Sequence, residues 1–201
     1  MGSHQSIGSS EVVAALERLA TGIRERHAGG KQIWLLGIAN GGIPVAERLA
    51  ALLRSNAAFE LKLGSLDILF HRDDIGRNPI PKEFLPTLLP GDVTGAHIIL
   101  VDDVLFTGRT IKAALDELFD HGRPASVELA VLADRGERRL PIAADYIGVT
   151  VQAGPDEIVT VTLDPNGPVD TDSIQVAERF KALREPGVGT KRLKRSATSS
   201  P

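Results

Sequence analysis

Apolar and polar positions along this chain recur with two periods, and the switches between them mark out its elements. Over residues 11–27 the apolar positions Val12, Val13, Leu16, Leu19, Ala20 and Ile23 fall at helical spacing, with Ser9 or Ser10 as N-cap and Gly29 and Gly30 as the stop. Residues 33–38 are apolar almost without interruption, the pattern of a strand buried on both faces of a parallel sheet. The turn Asn40, Gly41, Gly42 leads into a helix over 43–54, with Pro44 in its first turn, where proline is tolerated. Strands are predicted over 61–70, 98–101, 126–132, 145–151 and 157–163, a helix over 111–118 and a terminal helix over 169–184. Residues 71–97 contain Pro79, Pro81, Pro86 and Pro90 and have no periodicity; a connection this long suits a lid or binding loop. Strands alternating with helices predict an α/β fold whose central sheet is mostly parallel, joined by right-handed crossovers.

Composition narrows the class. A chain of 201 residues, 42% hydrophobic and 24% charged, has the size and balance of one well-buried globular domain. With no cysteine it has no disulfide framework, no thiolate nucleophile and no thiolate metal site. The apolar runs are too short to cross a bilayer, and the first residues lack the charged and apolar regions of a secretory signal, so no membrane association and a cytoplasmic location are expected. The net charge is −3, while Lys191, Arg192, Lys194 and Arg195 stand in a tail with no acid nearby, so the body is more acidic than the total. An acidic body argues against avid, nonspecific nucleic-acid binding. The five histidines, His4, His27, His71, His97 and His121, show no metal-ligand spacing.

The densest chemistry lies at 98–110, where an apolar strand runs into Asp102 and Asp103 and then, through Val104, Leu105 and Phe106, into the turn Thr107, Gly108, Arg109, Thr110 at the start of a helix. A helix N-terminus offers unpaired N–H groups and a positive dipole end to a phosphate. The carboxylates sit at the carboxyl end of the strand, where open α/β sheets bind ligands, and accept hydrogen bonds from sugar hydroxyls. Alone, an acid pair at a strand end is most often a cap; the whole run in this order describes a ribose with a 5′-phosphate. Ala39, Asn40, Gly41 and Gly42 form a second strand–turn–helix unit able to cradle an anion. At the start of the long loop, Arg72 is able to neutralise an anionic group, and Asp73 or Asp74 to hold Mg²⁺ directly or through water.

The run at 98–110 resembles the motif with which type I phosphoribosyltransferases bind phosphoribosyl pyrophosphate (PRPP). With the stretches at 121–125, 129–136 and 140–148, in this order, the chain resembles the pyrimidine operon regulator/uracil phosphoribosyltransferase (PyrR) family over roughly residues 10–180. The resemblance implies the type I phosphoribosyltransferase fold. One domain would span 10–184, with a small hood mainly over 133–163, and flexible tails at 1–9 and 185–201. It implies transfer of phosphoribose from PRPP to uracil, giving UMP and pyrophosphate, with Mg²⁺ as cofactor and a homodimer or higher homo-oligomer as the assembly.

By the same resemblance, residues 102–110 bind PRPP, with Asp102 and Asp103 on the ribose hydroxyls and Mg²⁺, and Thr107 to Thr110 on the 5′-phosphate. Ala39 to Gly42 form the pyrophosphate loop, in which a strained or cis peptide is expected. Arg72 closes over the pyrophosphate and acts with the two aspartates in catalysis. Asp134, Arg135 and Gly136 belong to the hood that reads the uracil edge. Purine enzymes usually carry an acid where this chain has Phe106, which opposes the alternative of a purine phosphoribosyltransferase. A second alternative is a UMP-responsive attenuator that binds an mRNA leader with little catalysis. Against it stand Glu17 and Thr21, in place of a hydroxyl and a histidine on the first helix, and Glu137, in place of a histidine. The pyrophosphate loop also lacks an arginine often present there; Gly41 or Gly42 occupies its position.

Overall fold

The structure, a computed structural model, describes residues 6–30, 32–55, 58–69 and 86–178. Its main sheet contains β2 (Ile33–Ile38), β3 (Leu61–Leu66), β4 (His97–Leu105), β5 (Ser126–Asp134) and β6 (Tyr146–Thr150), all parallel, in the order β3-β2-β4-β5-β6. Alternate residues of the inner strands serve two cores. Ile33, Leu35, Ile99, Val101, Ala130 and Leu132 pack with helices α1 (Ser9–Arg26) and α2 (Gly42–Arg54). Trp34, Leu36, Ile38, Ile98, Leu100 and Val131 pack with α3 (Arg109–Asp120). Burial on both faces explains the unbroken apolar runs of β2 and β4. The chain passes from β2 outward to β3 and then back to β4 on β2's other side. The strand order therefore reverses between β2 and β4, and the crevice beyond their carboxyl ends is where such sheets bind ligands.

A second, antiparallel sheet forms the hood: β1 (Ser6–Ile7), β8 (Ser173–Glu178) and β7 (Glu157–Thr162), in that order. Several expectations are corrected here. Ser6 and Ile7 form an edge strand where a flexible segment was expected over 1–9. Residues 173–178 are a strand, not part of a helix over 169–184: Ile174 and Val176 point into the core while Gln175 is exposed, a period of two. This sheet thus draws on both ends of the described chain, while its β7 lies within the 133–163 stretch expected for the hood. The strand expected over 61–70 ends at Leu66, and residue 70 and residues 179–184 lie outside the described residues. Ser9 does not cap α1, whose N-cap is Gly8; its hydroxyl donates instead to the Val169 carbonyl, 2.8 Å away. Among the described residues no helix is long and apolar enough to cross a membrane.

Two polar clusters fasten the layers. At the amino ends of the strands, Glu128 on β5 accepts a 2.6 Å hydrogen bond from the Tyr146 hydroxyl, lies 3.0 Å from His27 Nε2 and pairs with Arg26 at 3.2 Å. Burial opposes ionisation of Glu128, but the bonds from Tyr146 and His27 outweigh it and hold the carboxyl below its usual range; burial and Glu128 together push the Tyr146 phenol up. On the other side, buried Arg48 of α2 donates to the carbonyls of Asp164 and Gly167 and to Asp172 at 2.9 Å. Asp172, only 1% exposed, also accepts from the backbone N–H groups of Asp164 and Val169. Arg48 therefore ties α2 to the loop between β7 and β8.

Asp172→Ala would strand the Arg48 charge in the interior, and urea unfolding should show a loss of about 3–5 kcal/mol. Burial alone would raise the Asp172 pKa, but the Asp164 N–H, Arg48 and the Val169 N–H hold it below the usual carboxylate range. Its contribution is therefore complete above the unfolded value of about 3.9 and is lost as pH falls through the lower folded value. Asp172→Asn should flatten that acid limb of the stability curve, and an unchanged limb would assign it to other groups.

Candidate active site

Strand β4 delivers Asp102 and Asp103 to the crevice. Asp102 is 5% exposed and accepts from the Asp103 N–H at 3.0 Å; Asp103 accepts from the Val104 N–H at 2.8 Å. Burial first, and the adjacent Asp103 charge second, push the Asp102 carboxyl well above its ordinary pKa. Two adjacent carboxylates, one of them hard to ionise when buried alone, suit a hard cation shared with hydroxyls and phosphates of a ligand. Among the described residues no group of three or more His, Asp or Glu is placed to hold a metal ion, so within them this pair would supply only part of an ion's ligands. The donor set fits Mg²⁺ on those terms.

From the other side of the switch point, the β2–α2 turn presses against these acids. A Cβ on Gly41 would lie 2.3 Å from Asp103 Oδ2, and one on Gly42 would lie 2.1 Å from the Val101 carbonyl oxygen. The turn contains a cis peptide between Ala39 and Asn40, inside the stretch where one was expected. A side chain at Gly41 thus fits only if the acid moves, and one at Gly42 only if the β4 backbone does. Gly41 is the N-cap of α2 and Gly108, at φ 90°, that of α3; neither helix has a side-chain cap. Both leave N-terminal N–H groups for an anion, on either side of the aspartates. Thr107 accepts from the Arg109 N–H through its hydroxyl, at 3.3 Å, and from the Arg139 and Leu140 N–H groups through its carbonyl.

The segment after β5 folds over this loop. Asp134 is saturated internally: Oδ1 accepts from the Gly136 N–H at 2.8 Å and Oδ2 from Arg138 at 2.6 Å. Arg138 also donates to the carbonyls of Leu105 and Phe106. Arg135, 7% exposed, stacks on Phe106 with its guanidinium carbon 3.9 Å from the ring centroid. Gly136 at φ 74° and Glu137 at φ 53° turn the chain back between these two arginines.

The structure therefore brings together residues 39–42, 102–110 and 134–136. Arg72, Asp73, Asp74 and His71 lie outside the described residues. Sequence reasoning missed Arg138 and Arg48; the first had a detectable signal in the spacing of Asp134 and Arg138, the second none. On α1, Arg18 donates to the Gly148 carbonyl, and Arg24 contacts Glu17 at 3.7 Å and the Thr21 hydroxyl at 3.4 Å.

Comparison with known proteins agrees with this geometry. Residues 6–164 match the family model described as phosphoribosyl transferase domain. The chain is 44% identical over 177 residues to the bifunctional protein PyrR of Deinococcus radiodurans, spanning 87% of this chain and 92% of that protein. It is 46% identical over 167 residues to the protein of the same name from Chloroflexus aurantiacus, spanning 83% and 91%. Among solved structures, a hypoxanthine phosphoribosyltransferase of Trypanosoma cruzi superposes with a TM-score of 0.62 at 20% identity, over 89% of this chain and 93% of that one. A hypoxanthine-guanine phosphoribosyltransferase of Bacillus anthracis gives 0.56 at 19%, over 76% and 83%. At these identities the two structures show a shared fold.

A methyl group at position 41 should displace the acid it would touch. In a crystal structure of Gly41→Ala the Asp103 carboxylate is expected to have moved away from the turn, with the melting temperature little changed. An Asp103 left in place would mean that the turn, not the acid, yields.

Proposed function

The chain belongs to the PyrR family of type I phosphoribosyltransferases, and from that premise we propose that it transfers the phosphoribosyl group of PRPP to uracil, forming UMP and pyrophosphate. The observation that carries this reading is the meeting of the Asp102–Asp103 pair with the open N-termini of α2 and α3 at the point where the strand order reverses. One anion site lies on each side of two sugar-binding acids, which suits a substrate with phosphate at one end of a ribose and pyrophosphate at the other.

In the reaction the bond from C1 to the pyrophosphate oxygen breaks and a bond from C1 to uracil N1 forms, with oxocarbenium character between. Thr107 to Thr110 and the α3 N-terminus hold the 5′-phosphate, and Asp102 and Asp103 accept hydrogen bonds from the ribose hydroxyls, fixing C1 relative to the base. Ala39 to Gly42 and the α2 N-terminus face the pyrophosphate, and Arg72 closes over it, stabilising the charge that grows on the leaving group. Type I phosphoribosyltransferases generally use Mg²⁺ with PRPP; here Asp102 and Asp103 would hold it, with Asp73 and Asp74 directly or through water, and it supplies further charge stabilisation to the leaving group. Arg135 and Gly136, with Asp134 bracing them, form the hood over the base. No protein nucleophile is needed. The domain over 10–184 would act in a cytoplasmic homodimer or larger homo-oligomer.

The name that the relatives carry, bifunctional, favours a second activity, regulation of pyrimidine biosynthesis through an mRNA leader. In this chain Arg18 and Arg24 of α1 are engaged within the protein, and Glu17 adds a carboxylate to that helix. An RNA gel shift with and without UMP tests this activity separately; a UMP-dependent shift would establish it and no shift would remove it.

The direct test is product formation from PRPP and Mg²⁺ with uracil, hypoxanthine, guanine, xanthine and orotate in parallel. UMP alone is expected, and purine nucleotides would overturn the base assignment. Asp102→Asn combined with Asp103→Asn should raise the PRPP KM and lower kcat by about tenfold or more, the scale of a few lost charge-assisted bonds. Unchanged kinetics would remove the ribose role of the pair.

A further inference from the structure

Resting on the reading of the site as a uracil phosphoribosyltransferase, we propose that Arg135 is a positioning residue for base selection. It acts through Phe106, holding that ring as a fixed wall of the base pocket, and does not itself touch the base.

The first observation is where the donors of Arg135 go. Nη1 donates to the Glu157 carbonyl at 2.9 Å, and Nη2 donates to the Gly154 carbonyl at 3.2 Å and lies 3.4 Å from the Glu137 carboxylate. The fork of the guanidinium is thus spent on the hood. Nε alone is buried without a hydrogen-bond partner, so the bonds to the hood leave one donor of this side chain unmet. What the arrangement does satisfy is the stack: the guanidinium carbon lies 3.9 Å from the centroid of Phe106, well inside the roughly 6 Å reach of a cation–π contact. Only a planar cation can bond the hood with its edge and cover a ring with its face, which lysine cannot do.

The second observation is what Phe106 borders. It lies between the acids at 102 and 103 and the turn at 107–110, at the base side of the ribose in the proposed complex, and it is half-buried. Arg135 covers one face of its ring. Arg138 holds its backbone, donating to its carbonyl at 2.9 Å and to that of Leu105. Ring and backbone are therefore pinned from the hood side by two arginines three residues apart, Arg135 on the ring and Arg138 on the backbone. In the proposed complex a ring pinned from behind cannot retreat from the base, and this would disfavour the second ring of a purine more than a single six-membered ring.

The test is a double-mutant cycle on Arg135→Met and Phe106→Leu, reading kcat, the KM values for uracil and PRPP, and turnover of hypoxanthine. Each single variant should raise the uracil KM about tenfold, leave the PRPP KM within about twofold and admit measurable hypoxanthine turnover; the double variant should be no worse than either single one. Phe106→Tyr, which keeps the ring, should restore the uracil KM relative to Phe106→Leu. Additive effects, a parallel rise in both KM values, or a loss confined to melting temperature would overturn the proposal and leave Arg135 a staple of the hood. If Arg135→Met does not fold, the Phe106 pair decides: selectivity unchanged in Phe106→Leu overturns it. A wild-type protein that turns over no uracil removes the functional reading itself, and with it this inference; a wild type that does, with unaltered variants, removes the inference alone.

Discussion

The site depends on how closely the turn between β2 and α2 approaches the end of β4. Gly42 lies against the Val101 carbonyl and Gly41 against the Asp103 carboxylate, at distances that leave no room for a Cβ. That approach places two helix N-termini on either side of a pair of acids, so positive dipole ends and negative carboxylates share one crevice. Neither sign dominates, an arrangement that suits a ligand carrying both hydroxyls and phosphates. The same closeness leaves no room for a cationic side chain at Gly41 or Gly42, so what this turn offers an anion is backbone N–H groups.

The hood is a three-stranded antiparallel sheet with one strand of only two residues, too slight to stand alone. Arginines fasten it at two places. Arg48 fixes the β7–β8 loop to the helix that starts at the pyrophosphate turn, while Arg135 and Arg138 fix the segment after β5 to the phosphate loop. All three donate to main-chain carbonyls, groups whose positions are set by the fold rather than by rotamer choice. The hood is thereby registered at once against α2 and against the turn before α3.

How much of this was legible in the sequence follows from how local each signal is. The acids and the phosphate turn lie on one strand–turn–helix unit, so residues 98–110 announced themselves without any tertiary information. The inner strands were legible because burial on both faces leaves unbroken apolar runs. Residues 173–178 were not, because Ile174 and Val176 give only a short alternation and Val169 and Ala177 complete an equally good helical spacing; pairing with β7 decides between them. A two-residue strand at Ser6–Ile7 has no periodicity to detect. Arg48 reaches carbonyls 116 and 119 residues away, and Arg138 one 32 residues away, and a carbonyl acceptor has no side-chain signature. Asp134 was legible as a conspicuous acid in the hood, but its oxygens are bonded to Gly136 and Arg138, a saturation that only geometry reveals.

The cluster of His27, Glu128 and Tyr146 sits at the amino ends of the strands, while the acids and glycine turns sit at the carboxyl ends. The length of the sheet separates two sets of ionisable groups, and the rigid strands between them pass on neither charge nor rotamer choice. A substitution in the amino-end cluster therefore acts on how the layers hold together, and one among the acids and glycine turns on the crevice, because the two sets occupy opposite ends of the same strands.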